Sequence, residues 1–500
     1  MIIKNLDSLK EYFNENVKEP VFGVGVHAFD RLGLEEIISD YRIIALRHSL
    51  DAKLIEKDVE VLSLEKGMGT KHIRESRNAT TVLRSEKTKR YLNQFTSPAL
   101  DVYKPSTKME QICQKNNWHL LANPTTFGKK LFENKVNFRR ILQDINVPVP
   151  LGRIAKLETL KYGHLMNKHG LPFVIQHPTK GSGKGTYFIQ NEEEFDAVIS
   201  RLNRRKEITE EWKEKTITPP NEVIVSQFIK GPSPSLTGCV TKHGILSTNL
   251  QHQVLDIPEL VNPEGSIMFC GHDWTSSRFS ENISHQAYEI VEKVGQRLQA
   301  EDYKGIFGLD FIMDQRAEKL YVTECNPRHV GSFPTLFMSQ LLNKETPILA
   351  FHVLEFLRAN YEIDKQAINN LMRKEKTGAQ MFLHNLSGKW GRIHNQLKAG
   401  VYRLENEKLK YLRPGYKLQH LKNDDEFILT DGVSVKKSHF SPNRRLCRIL
   451  TLHSVLDQTY KALDPWAKKT VEIIYQSFNL KRIRFVKLKK FFSPNLLAKG

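Results

Sequence analysis

Three side chains that could bind a metal ion lie close together in residues 308 to 333, GLDFIMDQRAEKLYVTECNPRHVGSF. They are Asp310, Glu324 and Asn326. The runs GLDFIM and LYVTECN are typical of β-strands and the polar residues between them of a turn, so the segment predicts a β-hairpin. A turn centred on Ala317 places Asp310 opposite Glu324, and Asn326 shares their face because side chains alternate along a strand.

Two carboxylates held opposite each other destabilise a sheet unless a cation neutralises their repulsion. A hard divalent cation such as Mg²⁺, held by one or two carboxylates and by substrate phosphates, would supply that charge. A solvated hairpin with its acidic side chains in water is the alternative. The apolar flanking residues and the Asn-Pro-Arg that follows at once favour the metal site.

A glycine-rich loop lies upstream, in residues 171 to 186, LPFVIQHPTKGSGKGT. A predicted strand over residues 173 to 175 leads into glycines interleaved with lysines and hydroxyl side chains. Glycines let backbone N–H groups converge on an anion, and lysines add positive charge. The loop is not a Walker sequence, GxxxxGK[ST], because Gly185 follows Lys184. A plain turn is the alternative, and the loop gains weight from its place before the acidic residues.

Two further segments belong to the same pattern. Residues 221 to 235, NEVIVSQFIKGPSPS, begin with a buried-looking strand that runs into Ser226 and Gln227. Residues 133 to 150, ENKVNFRRILQDINVPVP, are typical of a helix that carries Lys135 and ends at Val-Pro-Val-Pro.

In this order the four segments resemble the ATP-grasp superfamily. Its members carry a lysine-bearing helix before a Val-Pro-x-Pro strand, then a glycine-rich flap, a hinge strand that contacts adenine, and an acidic hairpin ending in Glu-x-Asn-x-Arg. The resemblance covers residues 120 to 340, and its most specific part is Asp310 with the run ECNPR at 324 to 328. It implies an α/β (α+β) ATP-grasp fold, with an N-terminal Rossmann-like domain and a basic C-terminal extension that is β-rich and helical.

The resemblance implies a role for each matching residue. Arg328 matches the arginine that stabilises the transferring phosphoryl or acyl-phosphate group, and Lys135 matches the lysine that touches the nucleotide phosphates. The implied ligands of Mg²⁺ or Mn²⁺ are Asp310, Glu324 and Asn326. The implied nucleotide-binding residues of the flap and hinge are Gln176, Lys180, Gly181, Ser182, Gly183, Lys184, Gly185, Gln227, Phe228 and Ile229.

The chain departs from the superfamily pattern at two places. Many members end the flap strand in lysine, where Gln176 stands here, so Lys180 or Lys184 would supply the charge. The hinge glutamate of the family is replaced by Ser226 or Gln227, which leaves the ribose contact unassigned. Neither departure touches the implied metal ligands, so turnover is expected.

The activity that the resemblance implies is ATP- and Mg²⁺-dependent ligation of a small-molecule carboxylate to an amine, with amino-acid-like or peptide-like substrates. The carboxylate becomes an acyl phosphate, the amine displaces phosphate, and ADP is released. A biotin-carboxylase-like or phosphotransfer activity stays open, because the same nucleotide site serves those reactions. The rival hypothesis is a non-catalytic nucleotide sensor whose basic C-terminal third binds an anionic partner such as RNA. His329 is either a general base or a hydrogen-bonded structural histidine.

The positive charge of the chain is concentrated near its end. The 500 residues carry a formal net charge of +19. Residues 371 to 500 hold 27 Lys and Arg against 10 Asp and Glu, a balance of +17, and residues 1 to 370 hold 48 against 46, a balance of +2. Any affinity for polyanions is therefore expected in the C-terminal third, although nucleic acid is not the favoured partner.

Composition predicts a cytoplasmic protein. Five scattered cysteines without a CxxC pair favour reduced thiols. No apolar run approaches the roughly 18 residues that span a membrane, and the N-terminal residues do not resemble a signal peptide. A homo-oligomer is compatible with the sequence, and oligomeric state stays open.

The chain divides into three predicted domains: residues 1–125, Rossmann-like; residues 126–360, the nucleotide-binding body with a lid over about 150–230; and residues 361–500, basic. Local predictions include a helix at RLGLEEIIS (31 to 39), a solvated helix and loop over 201 to 221, a loop at 270 to 273, a small β-rich unit over 379 to 435 and a helix over 451 to 478. The basic tail at 481 to 492 is interpreted as a solvated extension, with a docking strip or a membrane-surface segment as alternatives.

Overall fold

The structure is a computed structural model. It describes residues 2–68, 78–180, 185–204, 206–210, 213–217, 220–262 and 268–482. The basic tail therefore lies outside the described residues beyond Arg482. Within the described ranges, no helix combines the length and the apolar character needed to cross a bilayer. All five cysteines are buried free thiols.

A parallel sheet forms the N-terminal unit. Five strands form this sheet, in the order β4 (Glu60–Ser63), β3 (Arg42–Ala45), β2 (Val21–Gly25), β5 (Ala99–Val102) and β6 (His119–Leu120). The central strands are buried on both faces, which explains their nearly continuous apolar runs. The strands are β1 (Ile2–Ile3), β2 (Val21–Gly25), β3 (Arg42–Ala45), β4 (Glu60–Ser63), β5 (Ala99–Val102) and β6 (His119–Leu120). The helices are α1 (Leu6–Asn16), α2 (Ala52–Ile55), α3 (Ala79–Arg84), α4 (Glu86–Leu92) and α5 (Thr107–Lys115).

The helix predicted at residues 31 to 39 is wrong. Two 3-10 turns lie there instead, Phe29–Arg31 and Leu34–Glu36. Gly33 stands between them with φ +121°, a backbone conformation that glycine tolerates and helices do not use. A Cβ at this position would lie 2.8 Å from the ring of Phe337, so the chain needs glycine both for its conformation and for the close approach.

A smaller antiparallel sheet, here named the lid sheet, is formed by strands between residues 152 and 227. It consists, in order, of β7 (Gly152–Lys156), β12 (Glu222–Gln227), β8 (Phe173–Gln176) and β9 (Thr186–Ile189), and it has its own apolar core. The helices of this part are α6 (Thr125–Phe127), α7 (Lys135–Asp144), α8 (Tyr162–His169) and α9 (Glu192–Asn203), with a π-helical turn at Gly128–Phe132 and a 3-10 turn at Leu157–Thr159. The strands are β7 (Gly152–Lys156), β8 (Phe173–Gln176), β9 (Thr186–Ile189), β10 (Lys206–Glu210), β11 (Lys213–Ile217) and β12 (Glu222–Gln227).

The solvated helix and loop predicted over residues 201 to 221 is wrong beyond the end of α9. Strands β10 and β11 pair there as an antiparallel hairpin. The many charged residues indicated a solvated segment, but both runs also contain β-branched residues, which favour a strand.

One large sheet dominates the rest of the molecule. Its strands are β13 (Pro234–Thr241), β14 (Gly244–Ser247), β15 (Gln251–Leu255), β16 (Phe269–Asp273), β17 (Gly305–Asp314), β18 (Lys319–Asn326), β20 (Ala379–His384), β22 (Gly400–Glu405), β23 (Lys408–Arg413), β24 (Glu426–Thr430) and β26 (Arg445–Thr451). Short strands β19 (Glu362–Ile363), β21 (Gly391–Ile393), β25 (His439–Phe440) and β27 (Leu480–Arg482) pair elsewhere. The helices are α10 (Glu281–Gln299), α11 (Thr335–Leu342), α12 (Ile348–Phe356), α13 (Lys365–Met372) and α14 (Pro465–Phe478), with a 3-10 turn at Leu418–His420.

The large sheet runs without a break into the C-terminal third of the chain. Its order is β18-β17-β13-β15-β16-β20-β26-β24-β22-β23, with β14 beside β13. The junction is the pairing of β16 with β20. The predicted β-rich unit thus exists, but as an extension of the body sheet rather than a separate one. The loop predicted at 270 to 273 is wrong, because these residues form the buried strand β16.

In the acidic hairpin, formed by β17 and β18, Asp310 lies opposite Glu324 as predicted, but the turn is not centred on Ala317. Beyond this pair the register shifts by one residue, so the turn is centred half a residue before Ala317. Thr323 is the extra residue of a β-bulge, and its hydroxyl donates to the carbonyl oxygen of Asp310 at 3.0 Å. Without the bulge, Glu324 would lie on the opposite face of the sheet.

The helix predicted over residues 451 to 478 is confirmed in its second half only. Helix α14 begins at Pro465, where the missing N–H of proline costs no helical hydrogen bond. The side chain of Asp464 caps the helix by accepting the N–H of Ala467 at 2.6 Å.

Replacing Asp464 by alanine should lower the local unfolding free energy of α14 by about 1 kcal/mol, because the Ala467 N–H loses its acceptor. Hydrogen–deuterium exchange of the first-turn amides measures this loss. Asp464→Asn is the matched control, since asparagine caps a helix about as well as aspartate. Equal exchange in the alanine and asparagine variants would contradict the assigned cap.

Candidate active site

A cavity of about 450 Å³, the first cavity, opens between the lid sheet and the large sheet. One part of its wall is apolar and comes from both sheets, with Val174 and Phe188 from the lid sheet and Phe311 and Ile312 from β17. The other part is polar and charged, and includes Asp310, Glu324, Asn326 and Arg328. The cavity thus has the mixed lining of a site for an amphiphilic ligand.

The three predicted metal ligands, here named the acidic cluster, meet at the cavity wall. Asn326 donates from Nδ2 to Asp310 Oδ2 at 3.0 Å, and Gln253 Nε2 donates to Asp310 Oδ1 at 3.2 Å. The Nζ of the buried Lys135 lies 2.9 Å from Glu324 Oε2. The structure therefore brings the predicted nucleotide lysine, from the first residue of α7, to the predicted ligands on β17 and β18.

The electrostatics of the acidic cluster leave it short of positive charge. Burial, and after it the negative charge of Glu324, raises the pKa of Asp310 to about 7, although Arg328 and Lys135 act in the opposite direction. Carboxylate and amide oxygens are suitable ligands for Mg²⁺ or Mn²⁺, whose charge would relieve the repulsion. Asn326 Oδ1 accepts from Arg328 at 2.7 Å and keeps a second lone pair for a metal. The residues present therefore fit a divalent cation.

Arg328 is held in one plane beside the acidic cluster. Its Nε donates to Glu133 Oε1 at 3.0 Å, one terminal nitrogen donates to the Tyr103 hydroxyl at 3.1 Å and to the His329 carbonyl oxygen at 3.0 Å, and the other donates to Asn326. Arg328 thus forms a salt bridge with Glu133. Four of the five guanidinium N–H groups are engaged, which leaves one for a ligand.

His329 lies in a buried group with Asp101 and His352. Its Nε2 is 3.3 Å from Asp101 Oδ1 without hydrogen-bond geometry, and burial lowers its pKa well below the ordinary value. The ligand atoms of the three residues lie within 4.8 Å of one another. Both ring nitrogens of His352 are occupied, by the N–H of Ile306 and the carbonyl of Leu121, so the group does not form a metal site. His329 does not line the first cavity, which argues against a general base, but within the described residues its Nε2 also lacks the hydrogen bond expected of the structural alternative.

The described part of the flap lies over the acidic cluster. Gln176 lines the first cavity at the end of β8, with its Nε2 3.4 Å from the hydroxyl of Thr186. The backbone carbonyl of Lys180 accepts from Lys135 Nζ at 3.1 Å, which connects the flap to α7. Gly185 stands just before β9. The predicted phosphate-binding residues Gly181, Ser182, Gly183 and Lys184 lie outside the described residues.

The predicted hinge begins at the last residue of β12 and forms another part of the cavity wall. Gln227, Phe228 and Ile229 all line the cavity. The N–H of Gln227 donates to the carbonyl of Leu151 at 2.8 Å, so it is not available to a ligand in this arrangement. The ring of Phe228 packs edge-to-face against Phe188, with 5.6 Å between centroids. The hinge thus offers an aromatic side chain against which a flat ring could pack.

Sequence reasoning missed the polar residues that β15 and β16 contribute. Gln251 and Gln253 line the first cavity from β15, and His272 lines it from β16. Polar residues at alternate positions of the run LQHQVL were the available signal for the two glutamines. Glu133 and Tyr103, which hold Arg328, had no local signal because they lie about 200 residues away in sequence.

A second cavity, of about 670 Å³, lies between the N-terminal sheet and the C-terminal strands. Both cavities are lined by Tyr103, Phe269 and Gly331. The charged side chains of its lining are Arg31, Arg47, Lys104, Arg444, Arg445 and Arg448 against Asp30, Glu65 and Asp431, a formal balance of +3. Arg31 and Lys104 also pair with carboxylates outside this lining, those of Asp101 and Glu133, so the positive excess around the cavity is smaller than this count.

The fold is that of the ATP-grasp enzymes: a lid sheet closes over a large sheet that carries the acidic hairpin. Residues 132–332 match the family model of the ATP-grasp domain, and they form such a domain here. A [butirosin acyl-carrier protein]–L-glutamate ligase from Niallia circulans is 21% identical over 202 residues, which are 39% of this chain and 42% of that protein. The match thus spans less than half of this curated relative.

Solved structures share the fold over most of the chain. The biotin carboxylase domain of the Hydrogenobacter thermophilus 2-oxoglutarate carboxylase aligns with a TM-score of 0.55 and 12% identity, covering 87% of this chain and 86% of that one. Biotin carboxylase from Campylobacter jejuni aligns with a TM-score of 0.55 and 13% identity, covering 87% of each. At these identities the likeness is one of fold.

Between pH 5 and pH 8, the unfolding free energy of the wild-type protein should fall by about 1–3 kcal/mol more than that of Asp310→Asn, because only the wild type carries the titrating carboxyl group. The folded-state pKa of about 7 lies above the ordinary 3.8, so stability from the protonated group is present at low pH and is lost as pH rises through 7. Urea unfolding without divalent cations, at several pH values, measures the effect. The same pH profile in both proteins would contradict the raised pKa.

Proposed function

We propose that the protein is an ATP- and Mg²⁺-dependent ligase that activates a carboxylate as an acyl phosphate and joins it to an amine, releasing ADP and phosphate. The observation that carries this proposal is the acidic cluster beside Lys135, at the charged end of the cavity under the lid sheet. The 2-oxoglutarate carboxylase domain was solved in complex with MgADP and bicarbonate, and the Campylobacter jejuni biotin carboxylase was solved as a β,γ-ATP complex. The curated relative is named as a ligase.

The acidic cluster would hold the metal, and Lys135 would contact the phosphates. When bound, Mg²⁺ would neutralise charge on the β- and γ-phosphates during phosphoryl transfer. Lys135 already bridges Glu324 and the flap carbonyl of Lys180, so a short movement of its flexible side chain would place the ammonium on a phosphate. The apolar wall with Phe188 and Phe228 would receive the adenine ring.

Arg328 would orient the group that is transferred. Its fixed plane and its one unengaged N–H suit a hydrogen bond to a phosphoryl or carboxylate oxygen. Glu133 and Tyr103 would keep the guanidinium in a fixed position while the charge of the ligand changes. Because of these contacts, we assign the contact with the transferred group to Arg328.

The second cavity would receive the carboxylate substrate. It meets the first cavity beside Gly331, three residues after Arg328, and the formal charge of its lining is positive. Amino-acid-like or peptide-like acids are the proposed substrate class, and the name of the curated relative includes L-glutamate. ADP release across amino acids, polyamines and small acids, with hydroxylamine to trap the acyl phosphate, tests the proposal. Absence of carboxylate-dependent ADP release would contradict it.

Glu324→Gln should lower the rate of Mg²⁺-dependent ADP release at least a hundredfold, because the uncharged amide removes about 3 kcal/mol of metal and phosphate stabilisation. A coupled ADP assay at saturating ATP measures the rate. Glu318→Gln is the matched control, since Glu318 is exposed in the turn of the same hairpin. Full activity of the Glu324 variant would show that the metal is held elsewhere.

Lys135→Met should raise the KM for ATP at least tenfold, because the buried ammonium beside Glu324 is lost and, in the described part of the chain, no other cation lies within salt-bridge distance of that carboxylate. Arg140→Met provides the comparison on the same helix, where the half-exposed guanidinium pairs with Glu222. Steady-state kinetics with varied ATP separate the two. A KM shift of equal size in both variants would indicate damage to α7 rather than loss of a phosphate contact.

A further inference from the structure

A row of polar side chains crosses the cavity face of the large sheet. Directly paired residues of antiparallel strands share a face, so the pairings of five strands define the row. It starts at the acidic hairpin and reaches the C-terminal strands. In order, its members are Asp310, Ser235 and Gln251, then Gln253, His272 and Gln380.

The amide of Gln380 has only one orientation that satisfies its neighbours. Its Oε1 accepts from the guanidinium of Arg448 at 2.6 Å and from the hydroxyl of Thr335 at 2.7 Å. Its Nε2 lies 2.9 Å from the carbonyl oxygen of Gly331 and 2.9 Å from His272 Nδ1. An arginine only donates and a carbonyl only accepts, so a flipped amide would face donor with donor and acceptor with acceptor.

The fixed amide determines the tautomer of His272. Since Gln380 Nε2 donates, His272 Nδ1 accepts, and the ring proton resides on Nε2. Burial, with a smaller effect of Arg448, lowers the pKa of His272 to about 3, so the ring is neutral at physiological pH. Among the residues that the structure describes, no hydrogen-bond acceptor is found for His272 Nε2, although the residue lines the first cavity.

His272 lines the first cavity next to residues that line both cavities. Its ring packs against Phe269, with 4.9 Å between centroids, and Phe269 lines both cavities. Gly331, whose carbonyl is held by Gln380, also lines both. A ligand that reaches from the acidic cluster into the second cavity would therefore pass beside the Nε2–H.

We propose that His272 is a substrate-contacting residue whose Nε2–H donates to an oxygen of the carboxylate being activated, and that Gln380, fixed by Arg448 and Thr335, is the positioning residue that sets this tautomer. The inference rests on the proposed ligase function. A neutral N–H recognises an acceptor, so it suits a carboxylate or acyl oxygen and not an ammonium group. The donor is set before the ligand arrives, and no proton has to move to His272 or from it.

The tautomer can be tested on the protein alone. Two-dimensional ¹⁵N–¹H spectra of the histidine-labelled full chain, assigned with His272→Gln, should show a neutral ring protonated at Nε2 from pH 5 to pH 8. In Gln380→Glu, position 380 can only accept, so the His272 proton should move from Nε2 to Nδ1 and the proposed donor should be lost. The charged groups behind position 380 are Arg448 and its partners Asp30 and Asp431. A wild-type ring protonated at Nδ1, or at both nitrogens, would overturn the inference.

The contact with substrate is tested by kinetics with the carboxylate that the ADP-release panel identifies. His272→Leu should lower kcat/KM for that carboxylate ten- to a hundredfold, because a buried acceptor loses its donor, and should leave MgADP affinity unchanged. His272→Gln, which can present an amide N–H, should recover part of the loss, and Gln380→Glu should resemble the leucine variant. A merely structural role would move MgADP affinity and kcat/KM together and would give no rescue by glutamine.

The outcomes separate this inference from the proposed function. Carboxylate-dependent ADP release by the wild type, with unchanged kcat/KM in His272→Leu, overturns the role of His272 and leaves the ligase proposal in place. No carboxylate-dependent release by the wild type overturns both. A selective loss in His272→Leu and Gln380→Glu, with partial recovery in His272→Gln, supports the inference.

Discussion

Two carboxylates placed face to face in a largely buried site are the constraint around which the rest of the structure is arranged. Asp310 and Glu324 occupy paired positions of one hairpin, and burial together with their mutual repulsion raises the pKa of Asp310. A folded protein retains such an arrangement only if something compensates the repulsion. Here Lys135, Asn326 and Gln253 do so in part, each from a different element. The remaining deficit of positive charge is what a divalent cation would supply.

The continuous large sheet turns this local constraint into a longer site. Because β16 pairs with β20, the face that carries the acidic cluster extends into the C-terminal strands. The buried Arg448 lies there with Asp431 and Asp30 and reaches Gln380. The second cavity, with its net positive lining, thus shares one sheet with the acidic cluster. In this account the C-terminal third contributes directly to the substrate site.

How much the sequence could predict depended on how far apart the interacting residues lie in the chain. The acidic hairpin and the lysine at the start of α7 are local patterns, but strand alternation about Ala317 gave the right Asp310–Glu324 pair only because a β-bulge offsets the true turn centre. The bulge at Thr323 was not predictable, because it shifts the pairing of the two strands by one residue without requiring a particular residue type at that position. His272 was assigned to a loop, since its significance depends on Gln380, which lies 108 residues further along. The failed helix at residues 31 to 39 shows that apolar spacing does not outweigh a glycine held at positive φ.

The central claim is that the acidic cluster holds a divalent cation against the phosphates of a nucleotide. Calorimetric titration with a non-hydrolysable ATP analogue, with Mg²⁺ and with EDTA, tests it most directly. The account predicts binding with Mg²⁺ that strengthens as pH rises through about 7, where Asp310 loses its proton, and weak or absent binding in EDTA. Equal affinity with and without Mg²⁺, unchanged across that pH range, would contradict it.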